Sequence, residues 1–375
     1  MEKINVRSPH FIRTLAISKD YVKCELYIYA GQSVVNRGAV DYTLINRTPA
    51  SGYSVFEISE LIRDFIDIQF DGSYNSEMIW VDYRFIEGTD AGGDDTPFSY
   101  VEGQAFEGYG YFEEGAATTL TPINEQKLLQ SNTVIVKPQN ASVRIPIIQD
   151  STYSVVFSYK GNFVEEYNIT NNINALNRIA YLNDYIGVDT DTYKERVIQG
   201  TGVYEGSSCL DNLLGMFDFT PIDRIIVDGD TVIDIQTFKE CRFEPIKATF
   251  VNKFGAYQDL WFFKNNSKAI KTQSTEYLAN IVTTGTWSAT NHQKTMINNN
   301  GQEEITLNSG YYPESYNEIF KQLLLSEKVW LELDGITRPV NVSSKGMNFK
   351  TQLTGKLIEY TMKFNFSNDI INNIR

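Results

Sequence analysis

The stretch PESYNEIFKQLLLSEKVWLELDGITRPVNV, Pro313 to Val342, decides the fold of this chain. In its first half, apolar side chains recur at the i, i+3, i+4, i+7, i+8 spacing of one helix face. They are Tyr316, Ile319, Phe320, Leu323 and Leu324. We therefore expect one amphipathic helix over about residues 313–325, begun by a capping box between Ser315 and Glu318. In the second half, the dipeptide Asp334-Gly335 lies between two strand-like runs and predicts a β-hairpin.

A further strand follows in IEYTMKFNF, Ile358 to Phe366. Its large apolar residues alternate strictly with Glu359, Thr361, Lys363 and Asn365, the period of a half-buried strand. The segment from Pro313 onward is thus predicted to be a helix packed on a sheet. Because no catalytic residue type recurs there at a conspicuous spacing, we interpret it as architectural.

The rest of the chain is also strand-like. Aromatic residues make up 13% of the sequence and occur beside Val, Ile and Thr, which favours strands. In YVKCELYIY (Tyr21–Tyr29), Val22, Cys24, Leu26 and Ile28 alternate with Lys23, Glu25 and two tyrosines, so we expect a buried inner face and a tyrosine-rich outer face. The fold class is predicted as mainly β, with β-sandwich modules and a few short helices.

Three domains are expected from the length of 375 residues and the positions of the strand clusters. They are a β-sandwich-like domain over 1–130, a second over 131–245, and a C-terminal β domain with the amphipathic helix over 246–375. In the second domain, Asp228-Gly229 predicts another hairpin. Residues 265–312 are rich in Asn, Thr and Ser, with one expected strand in EEITLNSG just before the helix.

Residues 88–115 form an acidic segment that is rich in Gly, Phe and Tyr, and we predict a long loop there. Its aromatic side chains, if exposed, suit a protein–protein contact. Clustered carboxylates at Asp90, Asp94 and Asp95 raise the alternative of a calcium site. They do not follow the Asp-x-Asp-x-Asp-Gly pattern of such loops, so a solvated loop is favoured.

Net charge, cysteine spacing and the distribution of apolar residues limit the classes of protein to which this chain could belong. The formal net charge of −14 disfavours a protein that grips nucleic acid. Three cysteines, Cys24, Cys209 and Cys241, show no CxxC spacing and are predicted to be reduced, buried thiols. The sequence contains neither a signal-peptide core nor an apolar run of membrane-spanning length, so we expect a soluble protein made in the cytoplasm, with no membrane partner.

The sequence contains none of the common catalytic motifs. The only two histidines, His10 and His292, are far apart, and no P-loop, Rossmann fingerprint, nucleophile elbow or HExxH motif occurs. We therefore expect no enzymatic activity and assign no catalytic, cofactor-binding or metal-ligating residue. A hydrolase built on two of the 47 acidic residues is the remaining enzymatic alternative, and nothing in the sequence favours it.

Three patches carry a resemblance to a known family. They are INVRSPHFIR with ELYIY and ISELIRDFI near the start, CRFEPIKATFVNKFGAYQDLWFFK (Cys241–Lys264), and LLLSEKVWLELDG with KLIEYTMKFNFSNDIINNIR at the end. Together and in this order they resemble ring (tail-barrel) virion structural proteins of crAss-like and related short-tailed bacteriophages. Both ends and the middle of the chain are covered. None of the patches is a catalytic motif.

The resemblance implies a homo-oligomeric ring, a dodecamer, stacked on adjacent tail rings or the portal in the neck and tail barrel of the virion. DNA and cargo proteins would pass through the ring without specific binding, and no cofactor would be needed. An acidic lumen would keep exiting DNA from adhering. The alternative from the residues themselves is a carbohydrate- or receptor-binding β-protein of the phage tail or cell surface, because aromatic platforms also stack on sugars.

Overall fold

The computed structural model describes residues 2–15, 20–29, 38–48, 52–74, 79–88, 96–115, 127–139, 141–148, 152–169, 179–183, 222–282, 284–351 and 356–371. The chain is mainly β and multidomain, as predicted, with several sheets and few short helices. No helix of the described residues is long and apolar enough to cross a membrane.

The N-terminal part packs a five-stranded sheet against a two-stranded one. The large sheet has the order β1-β7-β6-β3-β4, where β1 is Glu2–Asn5, β3 Tyr21–Tyr29, β4 Tyr42–Arg47, β6 Ile79–Gly88 and β7 Thr96–Phe106. The small sheet pairs β2 (Phe11–Leu15) with β5 (Tyr53–Glu57), which leads into α1 (Ser59–Arg63). Their shared core contains Val22, Cys24, Leu26 and Ile28, the predicted inner face of β3.

Two predictions for this part are wrong. The expected long loop over 88–115 contains β7, an eleven-residue strand hydrogen-bonded between β1 and β6. The predicted outer face of β3 is buried as well, with Tyr27 and Tyr29 each 7% exposed. Arg84 explains part of this burial, because it donates to Glu25 and lies over the Tyr27 ring. Hydrogen bonding to β1 on one side and β6 on the other stabilises β7, and the composition of the segment did not indicate these distant partner strands.

The middle part also combines a five-stranded and a two-stranded sheet around one core. The large sheet has the order β11-β10-β13-β14-β8, with β8 Val134–Pro138, β10 Tyr153–Tyr159, β11 Asn162–Ile169, β13 Arg224–Val227 and β14 Thr231–Phe238. The small one pairs β9 (Arg144–Ile148) with β12 (Ile179–Asn183). The predicted Asp228-Gly229 hairpin is confirmed, since both residues have positive φ in the turn between β13 and β14.

The C-terminal part is built on a seven-stranded sheet with the order β16-β15-β20-β21-β23-β18-β17. Its strands are β15 Ile246–Val251, β16 Tyr257–Phe262, β17 Asn266–Leu278, β18 Lys294–Asn308, β20 Val329–Leu333, β21 Ile336–Val342 and β23 Thr361–Asp369. A short pair, β19 (Tyr312–Pro313) and β22 (Leu357–Ile358), lies beside it. The helix α2, Asn317–Leu325, buries Ile319, Phe320 and Leu323 against this core.

The sequence patterns at this end are confirmed, with one exception. Asp334 and Gly335 have φ of 53° and 72°, the left-handed pair of a type I′ turn between β20 and β21. The five alternating apolar side chains from Ile358 to Phe366 are all buried. The capping box is wrong: α2 is preceded by a 3-10 turn over Glu314–Tyr316 and has no side-chain cap. Glu318 instead accepts a hydrogen bond from the Tyr111 hydroxyl, 2.6 Å away.

Buried clusters join the three parts. Each multi-stranded sheet draws its strands from one predicted domain, yet Val136 of the middle part lies in the C-terminal core. A second cluster combines Phe106, Leu129 and Ile148 with Phe254 and others. The division at residues 130 and 245 therefore stays a prediction, while the contacts across it fix how the parts are held together.

Candidate assembly interface: a projecting hairpin arm

The most unusual feature of the described chain is a long hairpin, residues 266–308, which we call the arm. It consists of β17, the loop 279–293 and β18, paired in antiparallel register from Asn266↔Leu307 to Leu278↔Lys294. All thirteen residues of β17 are exposed, and a strand of that length spans roughly 43 Å. The sequence interpretation placed only one short strand here, so the arm was missed.

Support for the arm changes along its length. Near the sheet, β23 pairs with β18 from Asn308↔Thr361 to Gln302↔Asp369, and the Ile370 amide continues this contact to the Gly301 carbonyl. A β-bulge follows between Gln273 and Thr275. Beyond it lies the distal arm, residues 273–299, a two-stranded ribbon whose strands find no third strand among the described residues. Such ribbons are marginally stable in water, which favours an arm that is covered by a partner.

Large apolar side chains of the distal arm are exposed. The exposed fractions are 47% for Tyr277, 70% for Leu278, 53% for Val282, 71% for Trp287, 59% for Met296 and 41% for Ile297. They occur on both faces of the ribbon and at its tip, so they do not form the inner face of a local core. A concentration of exposed apolar groups beside unpaired strand edges is typical of an interaction surface.

The charge of the arm differs from that of the chain. Its 43 residues contain three lysines and three glutamates, so it is formally neutral within a chain of net charge −14. The run from Tyr277 to Gln293 contains no Asp, Glu, Lys or Arg at all. Neutrality lowers the repulsion between copies of an acidic protein at this surface.

The base of the arm is held by charged contacts. Lys271 of β17 donates to Glu304 of β18, and the Lys363 ammonium on β23 lies 4.0 Å from the same carboxylate. The hydrogen bond from Lys271 lowers the pKa of Glu304. These contacts join the three adjacent strands β17, β18 and β23 at the base of the arm.

A buried amide network fixes the body behind the arm. Asn252, fully buried, donates to the Leu129 carbonyl at 2.6 Å and accepts from the amides of Phe254 and Ala256 at 2.9 and 3.1 Å. Gln258 extends the network to the Asn132 side chain at 3.2 Å. Because a buried polar group without a partner is costly, this network specifies one arrangement of the middle and C-terminal parts.

A second polar cluster lies close by. The Tyr74 hydroxyl is 2.9 and 2.8 Å from the two carboxylate oxygens of Asp259, and Thr249 donates to the same group at 2.7 Å. Burial raises the pKa of Asp259 and that of Tyr74. The tyrosine therefore stays protonated and serves as a donor. The Tyr74 and Thr249 hydroxyls both donate to the Asp259 carboxylate, which suits a structural bond between distant segments.

The residues that the sequence singled out are dispersed. Asp90, Asp94, Asp95 and Cys209 lie outside the described residues. Cys24 is buried as expected, whereas Cys241 is exposed, which corrects the prediction of buried thiols. His10 is buried in the N-terminal part, and His292 lies in the exposed loop of the arm.

Most aromatic residues of segment 88–115 contact the chain itself. Tyr109 is 8% exposed, and the Tyr111 ring lies beneath the ammonium groups of Lys253 and Lys321 at 4.4 and 3.5 Å. Phe112 is fully exposed. The predicted protein–protein contact of this segment is therefore largely intramolecular among the side chains that the structure describes. The arm contributes two further exposed aromatic side chains, Tyr277 and Trp287.

Comparison with protein-family models, curated proteins and solved structures finds no match to this chain. The geometry of the arm is thus the strongest guide to function.

Proposed function

We propose that this protein is a non-enzymatic structural subunit that assembles into a homo-oligomeric ring in the neck or tail barrel of a short-tailed bacteriophage. The ring forms part of the channel through which genome and cargo leave. The observation that carries the assembly is the arm, since an exposed, formally neutral ribbon with large apolar side chains and open edges is stable when other protein covers it. The phage setting rests on the sequence resemblance.

Two further features support a ring subunit. The amide network at Asn252 and the Tyr74–Asp259 contact hold the parts of the body in one arrangement, so each copy presents its arm in the same direction. The net charge of −14 suits a channel wall that DNA passes without adhering. Adjacent rings or the portal would stack on this one, as the resemblance implies.

Mass photometry across a concentration series, with negative-stain electron microscopy of the same sample, tests the proposal. We expect closed rings of one copy number, with twelve as the value that the resemblance implies. A full-length protein that remains monomeric at every concentration would overturn the ring. Its absence from the purified particles of the phage that encodes it would overturn the virion role.

Two deletion variants test whether assembly depends on the distal arm rather than on the stability of the fold. Replacing residues 274–299 by Asn-Gly connects the cross-strand pair Gln273↔Asn300 through a two-residue turn and removes most of the distal arm. The matched control replaces residues 279–293, connects Leu278↔Lys294 and keeps the distal strands. Because these residues are mostly exposed, both variants should unfold within about 0.5 kcal/mol of the wild type. Only the variant that lacks residues 274–299 should lose assembly.

A second candidate function is favoured by the tip of the arm. Trp287 and Tyr277 are exposed aromatic side chains in an uncharged surface, and such rings stack on sugars. A glycan array with the wild type and W287A distinguishes the two functions. Glycan binding that W287A abolishes would support a carbohydrate-binding protein, whereas ring assembly without glycan binding would exclude it.

A further inference from the structure

The two edges of the distal arm are open and unlike. The outer edge of β17 has no partner strand among the described residues, from Asn266 to Leu278. The other edge belongs to β18, whose partner strand β23 ends opposite Gln302. Just beyond β23, the Asn300 side chain hydrogen-bonds the backbone amide and carbonyl of Ile371. Residues 294–299 follow, and in the described structure they have no strand on the side away from β17. Each copy therefore offers one edge of each kind.

Unlike edges predict a head-to-tail contact. Since β17 and β18 run in opposite directions, β17 of one copy lies antiparallel to β18 of a neighbour whose arm points the same way. Antiparallel addition of a strand to an open edge satisfies the unpaired amides and carbonyls of both. A contact between different edges leaves one free edge on each side, so the same rotation repeats until the ring closes.

The charges of the distal arm complement one another across this contact. Glu276 on β17 and Lys294 on β18 are its only Asp, Glu, Lys or Arg residues. The pairs Glu276↔Met296 and Leu278↔Lys294 place both on one face of the ribbon, both are exposed, and no ion pair joins them within the copy. When the β17 edge meets the β18 edge of the next copy, a stagger of two residues sets each glutamate beside a neighbour's lysine.

We propose, on the basis of the ring function above, that the occupant of the distal arm is the arm of a second copy: β17 of one subunit adds to β18 of the next. In this register Glu276 faces the neighbour's Lys294, and Thr275 faces the neighbour's Thr295.

Charge reversal tests the pairing. E276K and K294E should each raise the concentration needed for assembly by about fivefold or more, because each places like charges at every contact. The double variant E276K/K294E restores opposite charges and should assemble as the wild type does. An equal mixture of the two single variants should also assemble, with alternating copies. If neither the double variant nor the mixture assembles better than the single variants, the pairing is refuted.

Single-cysteine cross-linking gives the register. In a background of C209S and C241S, T275C is mixed in turn with T295C, I297C and N299C and oxidised with diamide. Each copy carries one introduced thiol, so a disulfide between the two positions must join two copies. The highest yield is expected with T295C. Cross-linking of T275C with itself would show that like edges meet, and would overturn the proposal.

The outcomes distinguish this inference from the proposed function. Closed rings without cross-links in any mixture refute arm pairing and leave the ring subunit standing. Cross-links in the T275C–T295C mixture without closed rings support arm pairing and refute the ring. The absence of both refutes both.

Discussion

The substitution Tyr316→Phe probes the contact that joins the helix α2 region to the middle part of the chain. Tyr316 is 3% exposed, and its hydroxyl accepts from the Val136 amide at 2.8 Å and donates to the Val134 carbonyl at 2.9 Å. These two groups lie on β8, the edge strand of the middle sheet. Burial raises the pKa of Tyr316, so the hydroxyl remains protonated and able to donate.

Phenylalanine keeps the ring and removes only the hydroxyl. The apolar burial is unchanged, and the variant leaves one amide and one carbonyl without their partner at a buried position. At about 1–3 kcal/mol for each unsatisfied group, with some relaxation, we expect a loss of about 2–4 kcal/mol in the free energy of unfolding. Urea unfolding measures the loss, and hydrogen exchange of the Val136 amide localises it.

Tyr312→Phe is the matched control. The Tyr312 hydroxyl also bridges an amide and a carbonyl, those of Trp261 at 3.2 and 2.6 Å, but within the C-terminal part. It should lower stability by a similar amount without exposing the Val136 amide to exchange. A loss below about 0.5 kcal/mol for Tyr316→Phe, or unchanged exchange at Val136, would contradict the proposed role of this hydroxyl.

Two other predictions concern the same body. Burial raises the pKa of Asp259 in the folded protein above its unfolded value of about 3.9. Ionisation of Asp259 therefore lowers the free energy of unfolding as the pH rises above the unfolded value, and this loss disappears as the pH falls back through the folded pKa. Relative to the wild type, D259N should therefore gain stability as the pH rises from 4 to 8, and a pH-independent difference in urea unfolding would contradict the shift. G255A should cost about 2–4 kcal/mol, because Gly255 has φ of 73° and its added Cβ would lie 2.9 Å from the Glu107 amide nitrogen. Gly335 has a similar φ, but no atom lies within 4 Å of an added Cβ, so G335A is the control. An equal loss of thermal stability in both variants would exclude a contribution from the steric clash at Gly255.

Much of the C-terminal sheet follows from local sequence. The Asp334-Gly335 turn requires two residues that tolerate positive φ, and the alternation from Ile358 to Phe366 requires one buried face. Both requirements are met by neighbouring residues, so the sequence alone predicts them. The face of α2 is predictable for the same reason, whereas its missing cap is not, because Glu318 bonds to Tyr111 from a distant segment.

The candidate interface shows the opposite case. Strands of the arm bury no face within the chain, so the alternation that reveals a strand is absent from residues 266–300, and only β-branched threonines and a Thr284-Gly285 turn hint at it. Likewise, Tyr27 and Tyr111 have polar tips that suit either exposure or burial. Tyr27 is buried beside Arg84, and Tyr111 is half-buried beneath Lys253 and Lys321.

The sequence by itself thus determined the fold class, both Asp-Gly hairpins, the buried faces of β3 and β23 and the position of the amphipathic helix α2. The tertiary structure decided which strands share a sheet, which tyrosines are buried, and that a neutral ribbon projects from an acidic body. The physical reason is that the spacing of apolar residues along a helix or strand reflects only which of its faces is buried within the chain. Contacts between residues far apart in the chain, and strands that bury no face within it, leave no period in the sequence.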